Sequence, residues 1–248
     1  KFQDSSALGD DTSGNGNDLS ATNLASTDQT TDSPTQNFAT LDPNRKGTMT
    51  LLEGNLNADS TQAGAFRSVF ATLGMVSGKY YWEVEADAIG SGTFRLYGIA
   101  TGGGTTASLN TYIGASTDTM CFQPRGNGSD VDDVYFNGTA TALSSQTTIS
   151  AGDILNFAYD STNGHLWFGI NGTYVYSGDP ANGTNPVISG ISGSSGNPAF
   201  FGMSFYDTNE LHICNFGQRS FTYTPPTGFV ALQQDNLPET AKGISGLV

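Results

Sequence analysis

Three carboxylates alternate along one short run: Glu83, Glu85 and Asp87 in Lys79-Tyr80-Tyr81-Trp82-Glu83-Val84-Glu85-Ala86-Asp87. On an extended strand, residues two apart stand about 6.5–7 Å from each other. Paired carboxylates hydrolyse glycosidic bonds across roughly that gap. A strand side that merely faces water carries the same alternation, and this is the stronger reading. A second group, Asp130, Asp132 and Asp133, follows the turn-forming Gly126-Asn127-Gly128-Ser129. A third, Asp10, Asp11 and Asp18, shares its stretch with Asn15 and Asn17. Close carboxylates on glycine-rich turns can hold calcium, so both loops are calcium candidates. Neither has the later Glu and fixed Gly of an EF-hand loop, and a plain solvated loop explains each. No other cofactor is expected.

The remaining reactive types point nowhere. There is no Gly-x-Ser-x-Gly elbow, and two histidines, His165 and His212, make a zinc site a poor fit. Gly102-Gly103-Gly104 lacks the Lys and the following helix of a phosphate loop. Asn-Gly-Ser/Thr triplets start at Asn127, Asn137, Asn171 and Asn182. They fit the N-glycosylation pattern, but tight turns need the same Asn-Gly pairs. Cys121 and Cys214 sit in apolar runs and read as buried thiols, with a single disulfide between them left open.

The 248 residues carry a formal net charge of −14. No cationic surface exists to displace phosphate counterions, so nucleic acid is excluded as a partner, and anionic membranes with it. No run of 18 apolar residues is long enough for a membrane span. The chain starts at Lys1 rather than Met, as a processed chain or a piece of a longer one would.

The elements that position these residues are strands. Residues 1–45 are mostly Asp, Ser, Thr, Asn and Gly, too polar to offset ordering entropy alone. They are expected to form a polar strap on, or leading into, a β-sandwich over 46–230. The stretch Asn37–Leu41 is a candidate first strand. Met49 and Leu51 mark another, Ala65–Leu73 a third, and Lys79–Asp87 the clearest. In that last run Tyr80, Trp82, Val84 and Ala86 share the core face. Thr93–Ala100 is read with Phe94, Leu96 and Gly98 on one face and Arg95, Tyr97 and Ile99 on the other. Ile154–Tyr159, His165–Ile170 and Thr173–Tyr176 are joined by Asn163-Gly164 and Asn171-Gly172, both read as type I′ turns. Phe200–Phe205 and Leu211–Phe216 follow, linked by the polar Asp207-Thr208-Asn209. The expected core is Trp82, Val84, Phe94, Leu96, Ile154, Phe157, Trp167, Phe168, Ile170, Phe201, Met203, Phe205 and Phe216. Residues 231–248 read as a linker or the start of another module. No helical periodicity lasts three turns, so the fold class is all-β, an antiparallel two-sheet sandwich.

Four pieces in order resemble the SPRY domain. They are SGKYYWEV (77–84), GDIL (152–155), FAYDSTNGHLWFGINGTYVY (157–176) and NFGQRSF (215–221), and the likeness spans about Thr48 to Phe229. The resemblance implies a sandwich of the concanavalin-like jelly-roll type, and a non-enzymatic binding module that meets its partner through loops at one end of it. It also implies that Glu83, the acid after the strand Trp, belongs to the fold. By position the loop from Gln123 to Tyr135 is the expected contact, with Arg125, Asp130, Asp132 and Tyr135 as binding residues. The lead-in DSSALGDDTSGNGND and DSPTQNFATLDP is similar to that of SPRY-bearing proteins of tailed, notably marine, bacteriophages, as is the exit TPPTGFVALQQDNLPE. That likeness implies a virion location, in a tail fibre or on the virion surface. The implied partners are other virion proteins and a bacterial cell-surface receptor or glycan, with assembly as a homo-oligomer. The alternatives are a decoration protein that binds only other virion proteins, and a polysaccharide-cleaving enzyme using Glu83 with Glu85 or Asp87.

Overall fold

The structure is a computed structural model that describes residues 6–11, 13–23, 37–61, 63–91, 94–124 and 131–238. Its strands are β1 (Leu41–Lys46), β2 (Thr50–Leu52), β3 (Asn57–Ser60), β4 (Arg67–Ala71), β5 (Lys79–Ala88), β6 (Arg95–Thr101), β7 (Thr119–Gln123), β8 (Asp133–Phe136), β9 (Thr139–Ala142), β10 (Asp153–Asp160), β11 (His165–Ile170), β12 (Thr173–Tyr174), β13 (Ile188–Ser189), β14 (Ala199–Phe205), β15 (Glu210–Asn215) and β16 (Val230–Ala231). A seven-stranded sheet runs β1-β4-β14-β6-β7-β8-β9. A nine-stranded sheet runs β12-β11-β10-β5-β15-β3-β2, with β13 beside β11 and β16 beside β5. All pairings are antiparallel except β16 on β5. One short helix, α1 (Gly102–Ala107), follows β6. Among the described residues no helix is long and apolar enough to cross a membrane.

The period of two in β5 does what alternation predicts. Tyr80, Trp82, Val84 and Ala86 enter the core between the sheets. There the Trp82 ring stacks on Phe157 at 5.7 Å and meets Phe201 from the opposite sheet at 4.8 Å. Burying an aromatic or large aliphatic side chain contributes roughly 1.5–3 kcal/mol, and this seam also holds Tyr97, Phe122, Phe168, Met203, Phe205 and Phe216.

The outer faces are covered too, and this corrects several face assignments. Tyr81, Ala158, Trp167 and Phe229 form a cluster outside the nine-stranded sheet. Phe70, Leu96, Ala100, Ile113 and Cys121 form one outside the seven-stranded sheet. Every residue of β6 is therefore buried, with Tyr97 and Ile99 facing the inter-sheet core and Leu96 facing out. Phe94 lies outside the strand and is exposed, not core. In β10 the inward residues are Leu155, Phe157 and Tyr159, which leaves Ile154 half-buried on the other side. Ile170 is likewise only half-buried. Both cysteines are free, buried thiols in different layers.

The turns divide. Asn171 (φ 49°) and Gly172 (φ 81°) make the expected two-residue turn between Ile170 and Thr173. Asn137 (φ 49°) and Gly138 (φ 75°) make another between Phe136 and Thr139. Asn163-Gly164 does not. The connection from Asp160 to His165 spans four residues, and only Gly164 takes a positive φ. Asp160 drives this by accepting the Thr162 and Asn163 backbone N–H groups, an Asx-type cap. β14 and β15 lie in different sheets, so their polar connection crosses the sandwich.

The two ends of the sandwich close on each other. Phe38 bridges to Gln233, Ala39 N–H donates to Leu232 at 3.0 Å, and Gln234 N–H donates to Asn37 at 2.8 Å. Leu232 and Leu237 are buried in the core. The expected boundaries at 45/46 and 230/231 thus fall inside β1 and β16.

Candidate functional site

Of the expected binding residues, Arg125 and Asp130 lie outside the described residues, as does Asn127. Asp132 is fully buried, with its carboxylate turned to protein donors. It accepts from the Thr147 N–H at 2.8 Å, the Thr147 hydroxyl and the Tyr176 hydroxyl at 2.9 Å. Asp133 follows it into β8 opposite Gln123. Asp132 thus ties the start of β8 to the 145–147 loop and to Tyr176, a residue held at φ 55°. In the amino-terminal loop, Asp11 accepts from Ser13 and from the Asn17 N–H, and Asp18 accepts the Asp11 N–H. The Ser13 bonds lower the Asp11 pKa. Asp10 lines the same shallow cleft. Among the described residues no three His, Cys, Asp or Glu side chains gather around a point where a metal would sit.

The alternating acids are not one solvated face. Glu83 is 2% exposed, and both its oxygens are engaged. Oε1 accepts from the Tyr81 hydroxyl and the Tyr223 N–H, and Oε2 from the Thr222 N–H, each at 2.8 Å. The carboxylate pins the segment after β15 over the outer face of the sheet, where Phe221 packs edge-on to Tyr81 at 4.9 Å. Beside it, Glu85, Asn215 and Arg219 line a small cleft of about 130 Å³. Asp87 is exposed. An accessible acid pair is therefore absent at Glu83.

Tyr135 leads to a different surface. Its ring stands edge-on to Tyr112 at 5.5 Å, and Tyr112 meets Phe66 at 5.0 Å. Phe66 contacts Tyr206 at 5.1 Å and Phe94 at 5.8 Å, and Phe94 contacts Tyr206 at 5.7 Å. Strand register explains the convergence. Phe205 pairs with Arg67 on one side and Arg95 on the other. Phe66, Tyr206 and Phe94 are each one residue beyond those positions, so three adjacent strands release a ring at the same end. β7 ends and β8 starts at this end as well, since Phe122 pairs with Tyr97 and Gln123 with Asp133. Gln123 and Asp133, which bound the expected contact loop, thus lie at the same end of the sheet as the aromatic residues. Phe94 is 36% exposed, and the other four rings are half-buried.

Beneath the rings the two sheets are bolted together. Arg95 of β6 and Glu210 of β15 form a buried bidentate pair, 2.7 Å for each contact. Arg95 also donates to the Gly90 carbonyl, and Gly90 N–H donates to Glu210 at 3.1 Å. Burial raises the Glu210 pKa, and the Arg95 charge pulls it back. One step deeper, Tyr97 and His212 share a 2.7 Å hydrogen bond. Desolvation, helped by Arg95, pushes the His212 pKa down to about 3, so the ring is neutral. The Arg95–Glu210 pair adds little net stability against apolar packing, but breaking one half strands a buried charge. It fixes the loop ends that carry Phe94 and Tyr206.

A larger groove of about 410 Å³ runs beside β1, where the Arg45 guanidinium lies 4.1 Å over the Phe200 ring while paired to Asp42. Its cation is already spent on internal partners.

The chain matches no protein-family model and no curated protein. Solved structures do match. The SPRY domain of human HERC1 is 18% identical, covers 73% of this chain and 99% of its own, and has a TM-score of 0.49. Stonustoxin is 22% identical over 72% of this chain and 27% of its own, at 0.48. A human SPRY domain, 15% identical over 71% of this chain and 99% of its own, superposes at 0.50. The chain is a two-sheet β-sandwich of the SPRY type.

Proposed function

We propose that this chain is a non-enzymatic binding module that meets its partner with the aromatic end of the seven-stranded sheet. The observation that carries the reading is the cluster of Phe66, Phe94 and Tyr206 beyond three paired strands, continued by Tyr112 and Tyr135. Rings that are exposed at Phe94 and half-buried at the other four positions, packed on one another, offer contact area at small entropic cost, as binding hot spots require. The engaged state of Glu83 removes the support for a polysaccharide-cleaving role.

Within this reading the module sits on a virion, in a tail fibre, and the partner is a bacterial cell-surface receptor or glycan. The support is the resemblance of the terminal segments to those of SPRY-bearing phage proteins, together with the acidic, Lys-poor composition. Binding of the chain to bacterial cells and to a glycan array tests it, with Phe94→Ala and Tyr206→Ala as variants. The expected result is binding by the parent and at least a tenfold loss in each variant, at unchanged thermal midpoint, since a truncated hot spot costs about 2 kcal/mol or more. No binding to cells or glycans, with capture of other virion proteins instead, would replace the receptor by a virion partner. Binding unaffected by both variants would overturn the assignment of the site.

A further inference from the structure

The four edges of the two sheets are not treated alike. An open edge invites another strand, and proteins usually blunt it with charge, proline, a bulge or brevity. β1 carries Pro43, Asp42, Arg45 and Lys46 and a register shift against β4. β2 is three residues long. β12 is two residues long and ends in a 3-10 turn over Val175–Ser177. β9, Thr139-Ala140-Thr141-Ala142, is four residues long and carries no charge, proline or bulge. All four residues are exposed, and the pairing to β8 is regular. No charged residue occurs between Asp133 and Asp153, in a chain of net charge −14.

The backbone direction of β9 follows from its turn. Phe136 and Thr139 flank a two-residue turn and so exchange hydrogen bonds. Thr139 and Thr141 then point their N–H and C=O groups at β8, and Leu143 N–H donates to the Asp132 carbonyl at 2.8 Å in the same phase. Ala140 and Ala142 point theirs outward.

We infer that β9 is a self-pairing edge, which joins antiparallel to β9 of a second copy of this chain and makes one sheet of the two seven-stranded sheets. Thr141 lies on the two-fold axis. Ala140 faces Ala142 of the partner subunit, and each of these two pairs exchanges two backbone hydrogen bonds. Thr141 meets its own counterpart as a cross-strand Thr–Thr pair. Two chains of this charge repel over most of their surfaces, so a second copy seats where the charge is absent. Here a neutral edge meets a neutral edge, and both open residues are alanine. Opposed strands also turn the two aromatic ends in opposite directions.

The contact is short, so self-association is weak and is read over a wide range of concentration. Sedimentation equilibrium from about 5 to about 500 μM, spanning weak dissociation constants, is expected to show the mass rising from one chain towards two. Ala140→Pro removes an outward N–H and leaves the β8 ladder intact. Thr141→Lys sets like charges face to face and leaves the backbone untouched. Both are expected to remain single chains over the whole range, with thermal midpoints close to the parent's. If proline unfolds the hairpin, the lysine variant decides. A parent that stays a single chain at the highest concentration, or variants that associate as the parent does, would overturn the inference. Binding through Phe94 and Tyr206 is measured separately, so loss of one property leaves the other intact.

Discussion

Replacing Glu83 by glutamine changes one atom and leaves the shape of the side chain. The carboxylate accepts from Tyr81, Tyr223 and Thr222, all at 2.8 Å, in a site closed to solvent. The amide keeps an acceptor for Tyr81 and Tyr223 at Oε1. It then presents its NH2 to the Thr222 N–H, so that one charge-assisted bond is lost and two donors face each other. That costs about 2–3 kcal/mol. For a domain of this size each kcal/mol moves the thermal midpoint by about 2–4 °C, giving a fall of about 4–12 °C. The loss concentrates on the segment that the carboxylate holds down, which also carries Phe221 against Tyr81 and Phe229 against Trp167. Amide exchange at Thr222 and Tyr223 therefore accelerates first, before global unfolding. Calorimetry and hydrogen exchange on Glu83→Gln measure both. A midpoint within 1–2 °C of the parent (roughly the response to half a kcal/mol or less) and unchanged exchange at those amides would refute the reasoning. So would a variant of full stability that had lost a polysaccharide-cleaving activity of the parent.

Three further outcomes follow from the same geometry. Asp132→Ala strands the Thr147 N–H and hydroxyl, while the Tyr176 hydroxyl keeps the Ser145 carbonyl at 2.8 Å. It is expected to cost about 1–3 kcal/mol by urea denaturation, while calcium chelation leaves the parent's midpoint in place. His212 is held neutral with a pKa of about 3, whereas the unfolded chain takes up that proton near 6.5. Stability is therefore expected to be full above pH 6.5 and to fall from there towards pH 3, by up to roughly 1.4 kcal/mol per pH unit. Glu210, raised by burial, opposes this because the fold takes its proton before the unfolded chain does. His212→Gln should flatten the acid limb of stability against pH, and an unchanged limb would contradict the assignment. Gly202→Ala places a Cβ 2.5 Å from the Phe70 ring and 2.7 Å from Ile113. It should destabilise by about 1–3 kcal/mol through overpacking, whereas Gly196→Ala, with no atom within 4 Å, should not.

Local pattern carried much of this fold. The core face of β5 (Tyr80, Trp82, Val84 and Ala86), the β10–β11 pairing and the Asn171-Gly172 turn are properties of a few neighbouring residues and fold as read. The other face of β5, read as facing water, is instead covered at Tyr81 and Glu83, and β10 turns Leu155 rather than Ile154 inward. The face of β6 was not legible, because Arg95-Leu96-Tyr97-Gly98-Ile99-Ala100 is buried on both sides and a two-sided strand has no polar face to mark its phase. Phe94 was misplaced because the strand starts at Arg95, one residue beyond it, and not at Thr93. Asn163-Gly164 failed because the Asp160 side chain outbid the hairpin turn for the local N–H groups. Of the aromatic end, Tyr135 alone was marked by position. Phe66, Phe94, Tyr112 and Tyr206 are single rings scattered through the chain. Their one shared signal is an aromatic at a strand's margin or in a connecting loop, and only the strand register of β4, β14 and β6 brings them together.

The closure of residues 37–39 on 232–234 has a consequence for architecture. The polypeptide enters and leaves this sandwich side by side, with Asn37 and Gln234 sharing a 2.8 Å bond. A unit with that geometry can be spliced into a surface turn of a larger protein without prising the host apart. Tension applied through the flanking segments would be taken up first by the few hydrogen bonds that zip the gate, in the manner of a clasp opened one tooth at a time, while the aromatic core stays out of the load path.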